Sequence, residues 1–354
     1  MRLHSRRGGA LDLPDIEDKI KHRQSQAELM PTRSLPGRRT FLAGAAATAG
    51  AWWAGAAKAA ATLRFVYPYA PGSGGDVLVR LLAEDMQKAL GSPAIVENRP
   101  GADGRIGVRE VMRAEPDGNT LLYTPFGTMV LFPSVFKDLG FDPFTDFKPV
   151  TQVATFDFGF ATGPMTKVRT LAELIDWLKK NPDASNVAVP GLGTLPQLLP
   201  LKFAAETGTR IDAIAYRGTA PALTAVMSGQ IALICAPLGD LVAQAQAGAI
   251  TLLAASGKTR NPLIIDVPTF IEQGFNLWGS SWYAVFAPAK TPDARIAELA
   301  KELVKSIRGE NFKARAHALW LNPTGTTAAE LGAIQKADFE LWSPVFKAAN
   351  LPAR

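Results

Sequence analysis

Two short glycine-rich turns, each placed where an apolar strand gives way to a helix, constrain this chain more than any other feature. The first lies within residues 63–87, LRFVYPYAPGSGGDVLVRLLAEDMQ, and the second within residues 187–203, VAVPGLGTLPQLLPLKF. Passing from strand to helix through Gly72, Ser73, Gly74 and Gly75 allows a tight turn. It also leaves the first N–H groups of the helix unpaired, facing whatever lies beyond the strand end. Neither turn carries a basic residue, so an anion there would be held by backbone N–H groups and the helix dipole. Two such seats from separate parts of one chain predict a small acid held between two lobes.

The rest of the chain supports two lobes. Its 354 residues exceed one average domain, and short apolar runs alternate with amphipathic stretches from residue 63 onward. Strands are predicted at 63–69, 94–96, 120–124, 186–189, 213–216, 231–235, 250–254 and 282–287. Helices are predicted at 76–90, 106–114, 171–180, 195–206, 220–228, 241–247 and 293–307. This alternation is that of βαβ units with parallel sheets. It breaks between 132 and 164, where Pro133, Pro143, Pro149 and Pro164 mark a crossing between lobes, and a second crossing falls near 268–281. The expected division is an export segment at 1–61, a discontinuous first lobe at 62–162 plus 286–354, and a second lobe at 163–285.

The pI of about 9.4 invites a nucleic-acid reading, but ten of the 38 Lys and Arg residues lie in residues 1–61 against five acids. That leaves 28 basic and 27 acidic residues for 62–354, too balanced for a phosphate-binding surface, so no nucleic-acid partner is expected. The basic segment contains Arg38-Arg39-Thr40-Phe41-Leu42, an alanine-rich apolar run over 43–57 and Ala59-Ala60-Ala61. Paired arginines before a moderately apolar core and a small-residue cleavage site predict twin-arginine export and a periplasmic protein. Met30 stands eight residues before Arg38 and is the expected start, with 1–29 a spurious or unstructured extension.

Catalytic chemistry is poorly provided for. Residues 62–354 hold one histidine, His317, and one cysteine, Cys235, so Cys/His metal sites and an intramolecular disulfide are excluded. Cys235 lies in an apolar run and reads as a buried small hydrophobe. No G-x-S-x-G elbow accompanies His317, which sits in a basic helical stretch. The glycine turns carry neither G-K-[ST] nor the G-x-G-x-x-G spacing of nucleotide sites. A bare glycine loop by itself is equally a plain strand–helix connection.

Six ordered motifs resolve that ambiguity. They are Tyr67-Pro68-Tyr69-Ala70-Pro71-Gly72-Ser73-Gly74-Gly75-Asp76, Val96-Glu97-Asn98-Arg99-Pro100-Gly101-Ala102-Asp103-Gly104, Pro116-Asp117-Gly118-Asn119-Thr120-Leu121-Leu122, the run FDPFTDFKPV from Phe141 to Val150, Tyr216-Arg217-Gly218-Thr219-Ala220-Pro221-Ala222-Leu223, and Asp266-Val267-Pro268-Thr269. Together they resemble the substrate-binding proteins of tripartite tricarboxylate transporters, the Bug family, over residues 63–354. The resemblance implies an α/β, two-lobed periplasmic-binding-protein fold of type II. Each lobe would be a mixed sheet flanked by helices, with the ligand cleft between lobes. It also implies a captured organic carboxylate, permease subunits of a tripartite transporter as partners, a monomer, no cofactor, no metal and no enzymatic activity. An orphan receptor serving a signalling partner and an enzyme on a related α/β scaffold are the alternatives.

Candidate ligand contacts are Tyr69, Ala70, Gly72, Ser73, Gly74, Gly75 and Asp76 at the first loop and Phe126, Gly127 and Thr128 after the third strand. Gly191, Leu192, Gly193, Thr194 and Gln197 follow at the second loop, with Tyr216, Arg217 and Ala236 beyond. Hydroxyls of Ser73 and Thr194 would add donors to the backbone seats. Asp76 would repel an anion and reads better as the cap of its own helix. Arg217 could pair with a ligand carboxylate or lie in a surface salt bridge, and Tyr69 and Tyr216 could face the cleft or pack in the core. Where the resembling family is often polar, this chain has Val189, Pro190, Leu192, Pro196, Pro125, Phe126, Met129, Phe132, Ala236 and Pro237. That apolar bulk predicts a ligand with one carboxylate and an aromatic or extended apolar body, because a second buried charge would go unpaired.

Overall fold

The computed structural model describes residues 61–348; the export signal expected before Leu63, including the twin arginines and Met30, lies outside them apart from Ala61. The strands are β1 (Leu63–Tyr67), β2 (Ala94–Asn98), β3 (Thr120–Pro125), β4 (Phe147–Thr162), β5 (Asn186–Val189), β6 (Asp212–Ala215), β7 (Leu233–Pro237), β8 (Thr251–Ala255), β9 (Ser280–Pro288) and β10 (Asn322–Pro323). The helices are α1 (Gly74–Leu90), α2 (Arg105–Met112), α3 (Phe126–Val130), α4 (Phe132–Val135), α5 (Leu171–Lys180), α6 (Leu195–Thr207), α7 (Thr219–Met227), α8 (Leu238–Gln246), α9 (Asp293–Ile307), α10 (Glu310–Ala318) and α11 (Ala328–Ala348).

The strands form two mixed half-sheets joined by β4. One runs β2-β1-β3-β9-β4 with β10 on β4; the other runs β6-β5-β7-β4 with β8 on β4. Pairs β1/β2, β1/β3, β5/β6 and β5/β7 are parallel, as the βαβ alternation requires. The antiparallel pairs all involve β4 or β9, which makes each half-sheet mixed, as the resemblance implied. Sixteen-residue β4 occupies what the prolines made look like an irregular crossing. Its segment 147–157 pairs with β9, and 158–162 pairs with β7 and β8. Pro149 is accommodated because the β4/β9 register shifts at Pro149/Thr151, a bulge that relieves the missing N–H.

Local signals set the helix ends. Ser73 is the N-cap of α1 and accepts from the Asp76 N–H, while Gly91 closes its far end at φ 63° with an N–H bond to Gln87. Thr170 caps α5 in the same way through the Glu173 N–H. The unanticipated α11 ties the C-terminal chain to both half-sheets. Trp342 is 1% exposed, and its ring packs where a Cβ on Gly279 would lie 2.5 Å away. Gln335 donates to the Met129 and Pro143 carbonyls, and the Trp282 indole N–H donates to Asp338 at 2.8 Å. One apolar cluster accordingly runs from Val66 and Leu122 through Phe126 to Phe160, Phe203 and Trp342. Cys235 is buried, which pushes its thiol far up, and His317 is exposed on α10.

Candidate functional site

A cavity of about 720 Å³ opens at the C-terminal ends of β1, β3, β5, β6 and β7. Open α/β sheets place ligands there because strand ends and helix starts converge at the same edge. Tyr69 and Asp103 contribute from the β1 side, Pro125 to Gly127 from the start of α3, and Leu131, Phe132, Val135 and Phe136 around α4. Phe156 and Phe158 of β4 form the floor, Pro190 to Pro196 and Ala215 to Arg217 the opposite wall, and Pro237 and Ser281 the remainder.

Several residues expected at the site line this cavity: Tyr69, Phe126, Gly127, Gly191, Leu192, Gly193, Thr194, Tyr216 and Arg217. Ala70, Gly72, Ser73, Gly74, Gly75, Asp76, Thr128, Gln197 and Ala236 fall outside its lining. The first turn is closed by its own contacts. The Ser73 hydroxyl meets the Tyr67 hydroxyl at 2.9 Å and accepts from the Asp76 N–H. Asp76 does not cap α1 from the N-cap position; it sits in the first turn and reaches back to the Gly72 N–H at 3.1 Å. Its carboxylate also accepts from Arg80 and from the Asn98 amide. Burial works against the ionised form, but these hydrogen bonds outweigh it and hold the Asp76 carboxyl below the usual range.

The second turn keeps its place on the cavity while engaging its own donors. Gln197, one turn into α6, accepts the Gly193 N–H at 2.7 Å, and the Thr194 hydroxyl donates to the Gly191 carbonyl at 2.9 Å. Gly193 adopts φ 71°, and a Cβ there would lie 3.0 Å from Val135. The glycine is therefore required both for the turn and for the approach of α4. On the apolar side, Pro190, Leu192, Pro196, Pro125, Phe126, Phe132 and Pro237 line the cavity as the apolar reading anticipates, whereas Met129, Val189 and Ala236 are wholly buried behind it.

Arg217 is the sole cation of the lining and forms no hydrogen bond or ion pair with any described residue. It is exposed, on the loop that follows β6. Around it the walls are aromatic: Phe132 and Phe136 meet edge to face at 5.0 Å, and Phe156 and Phe158 at 5.6 Å. Tyr69 is held in the wall by a 2.8 Å bond between its hydroxyl and that of Thr128, and burial pushes its phenol up, so it stays neutral.

Sequence reasoning missed Phe136, Phe156, Phe158 and Asp103. The run Phe156-Asp157-Phe158-Gly159-Phe160 has aromatics at period two, a strand signal the neighbouring prolines obscured. Asp103 belongs to the quoted motif around Gly101. Ala102 and Asp103 both hold positive φ there, 47° and 57°, a strained turn of the kind found at ligand sites.

The model of the tripartite tricarboxylate transporter family receptor matches residues 78–351. The chain belongs to that receptor family. An UPF0065 protein of Bordetella bronchiseptica is 35% identical over 248 residues, covering 70% of this receptor and 73% of the relative. A solved periplasmic transporter is 34% identical with a TM-score of 0.72, covering 83% of this receptor and 98% of that chain. A Rhodopseudomonas palustris protein with adipate is 26% identical with a TM-score of 0.73, covering 82% and 97%. The receptor thus has the two-lobed α/β fold of periplasmic binding proteins and is a solute-binding protein, not an enzyme.

Proposed function

We propose that this receptor captures an organic acid with a single carboxylate and an aromatic or extended apolar body, and that the periplasm is where it does so. It would deliver that acid to the membrane permease of a tripartite transporter. Arg217 carries the reading: it is an unpaired cation on a cavity walled by Phe126, Phe132, Phe136, Phe156 and Phe158. A guanidinium offers a carboxylate two parallel N–H donors, and each buried methylene of the ligand adds about 0.8 kcal/mol. Tyr69, Gly191 to Thr194 and Tyr216 complete the binding surface. A volume of 720 Å³ lies within the range of small-molecule pockets. Bridging the wall at Arg217 and the wall at Phe126 would stabilise a closed arrangement of the lobes.

Calorimetry with phenylacetate and longer arylalkanoates against malate and citrate tests the assignment. Tight binding of the aromatic monocarboxylates is expected. Arg217→Ala should weaken it about 10- to 100-fold, from the 1.5–3 kcal/mol of a hydrogen bond to a charged group, with an unchanged melting temperature. Tight citrate binding without any response to aromatic acids would refute it.

A further inference from the structure

Of the two glycine turns, only the second reaches the cavity. Tyr69 and Phe156 form the cavity wall nearest the first turn. Directly behind them stands a second aromatic layer: Tyr67 lies 5.6 Å from Tyr69, and Tyr283 stacks 5.4 Å from Phe156. Tyr123 completes that layer, stacked on Tyr283 at 5.5 Å and 10° and tilted against Tyr67 at 5.6 Å. Tyr283 presses on the backbone of α1, since a Cβ on Gly75 would lie 2.5 Å from its ring and 3.0 Å from the Tyr67 hydroxyl. The Tyr123 hydroxyl is fully buried without a hydrogen-bond partner, so the layer fills this space with a donor left over.

We propose that Tyr67, Tyr123 and Tyr283 determine specificity by filling the anion seat at the start of α1, which restricts this receptor to acids with one anionic end. This deepens the function proposed above and rests on it. The logic is one of exclusion. With Tyr283 against Gly75 and the Ser73 hydroxyl held by Tyr67, a second carboxylate would find aromatic faces and no free cation on that side of the cavity. Burying it there unpaired is strongly unfavourable. Behind the tyrosines the Gly72, Asp76 and Val77 N–H groups are engaged within the turn, which leaves the N–H groups of Gly74 and Gly75 as the seat. The charge of Asp76 is offset by Arg80, and its carboxylate also accepts from the neutral Asn98 amide, so the N-terminal end of the 17-residue α1 keeps its partial positive charge.

Shaving the layer should therefore change the class of ligand accepted. Calorimetry of the mature protein with phenylacetate and adipate, alongside thermal melting, is the test. The wild type should bind phenylacetate at least tenfold more tightly than adipate. Tyr283→Ala should gain at least tenfold in adipate affinity, whereas Tyr283→Phe, which keeps the ring, should not. Tyr123→Ala opens the same space from the other side and answers the question if Tyr283→Ala does not fold. A folded alanine variant that binds phenylacetate but gains nothing for adipate overturns the specificity role while leaving the function reading standing. A wild type that binds adipate as well as phenylacetate also overturns it, and a wild type that binds no acid of either kind removes both.

Discussion

Replacing Asp76 by alanine should destabilise the receptor without touching its ligand affinity. The carboxylate, 4% exposed, accepts from the Gly72 N–H at 3.1 Å, the Asn98 amide at 2.9 Å and two nitrogens of Arg80 at 3.0 and 3.1 Å. Truncation leaves the Gly72 and Asn98 donors without that partner, about 1 kcal/mol each. Arg80 is half-exposed and regains water, so its ion pair adds no more than about 1 kcal/mol. The sum is about 3 kcal/mol, which for a chain of this size is a fall in Tm of roughly 5 °C. The effect should depend on pH with a definite sign. Because the folded carboxyl is held below its ordinary value, its contribution is present above about pH 4 and is lost as pH falls through the folded pKa. Thermal and urea unfolding of wild type and Asp76→Ala at pH 7.5 and through a descending pH series below 4 should show a gap that narrows in acid. A variant with an unchanged Tm and a lost ligand response would refute the reasoning and place the carboxylate in the binding site.

The two turns should respond differently to the same small change. Gly193→Ala should cost about 1–2 kcal/mol, because φ 71° is a left-handed conformation and Val135 lies 3.0 Å from the added methyl. Gly74→Ala should be nearly neutral, with its new Cβ in ordinary contact 3.6 Å from Leu321; matched melting temperatures for the two variants would contradict this. Asp338 is pushed up to about 6 by burial, against the Trp282 hydrogen bond and the nearby Lys258 charge. A carboxyl raised in the folded state favours folding most when protonated, so wild type should lose stability relative to Asp338→Asn as pH rises from 4 through 6. Parallel pH–Tm curves would exclude it. Arg38→Lys with Arg39→Lys should leave precursor in the cytoplasm, and normal processing in cells lacking the twin-arginine translocase would show another export route.

Much of this receptor was legible along the chain because its information is local. Ser73 before Gly74-Gly75, Thr170 before Leu171 and the glycines after α1 and α6 mark helix ends through neighbours three or four residues away. The apolar character of Leu192, Pro196, Phe126 and Phe132 likewise survives into the cavity wall. The route of β4 was not legible, since its prolines suggest a loop and only pairing with β9 on one half and β7 and β8 on the other makes it a strand. Nor could spacing show which glycine turn meets the cavity. Both turns have the composition of an anion seat, and Gly75 is closed off only because β1, β3 and β9 bring Tyr67, Tyr123 and Tyr283 together over it from positions up to 216 residues apart. A turn's backbone conformation is set by the residues within it, whereas its access to a ligand depends on which distant side chains the sheet places in front of it.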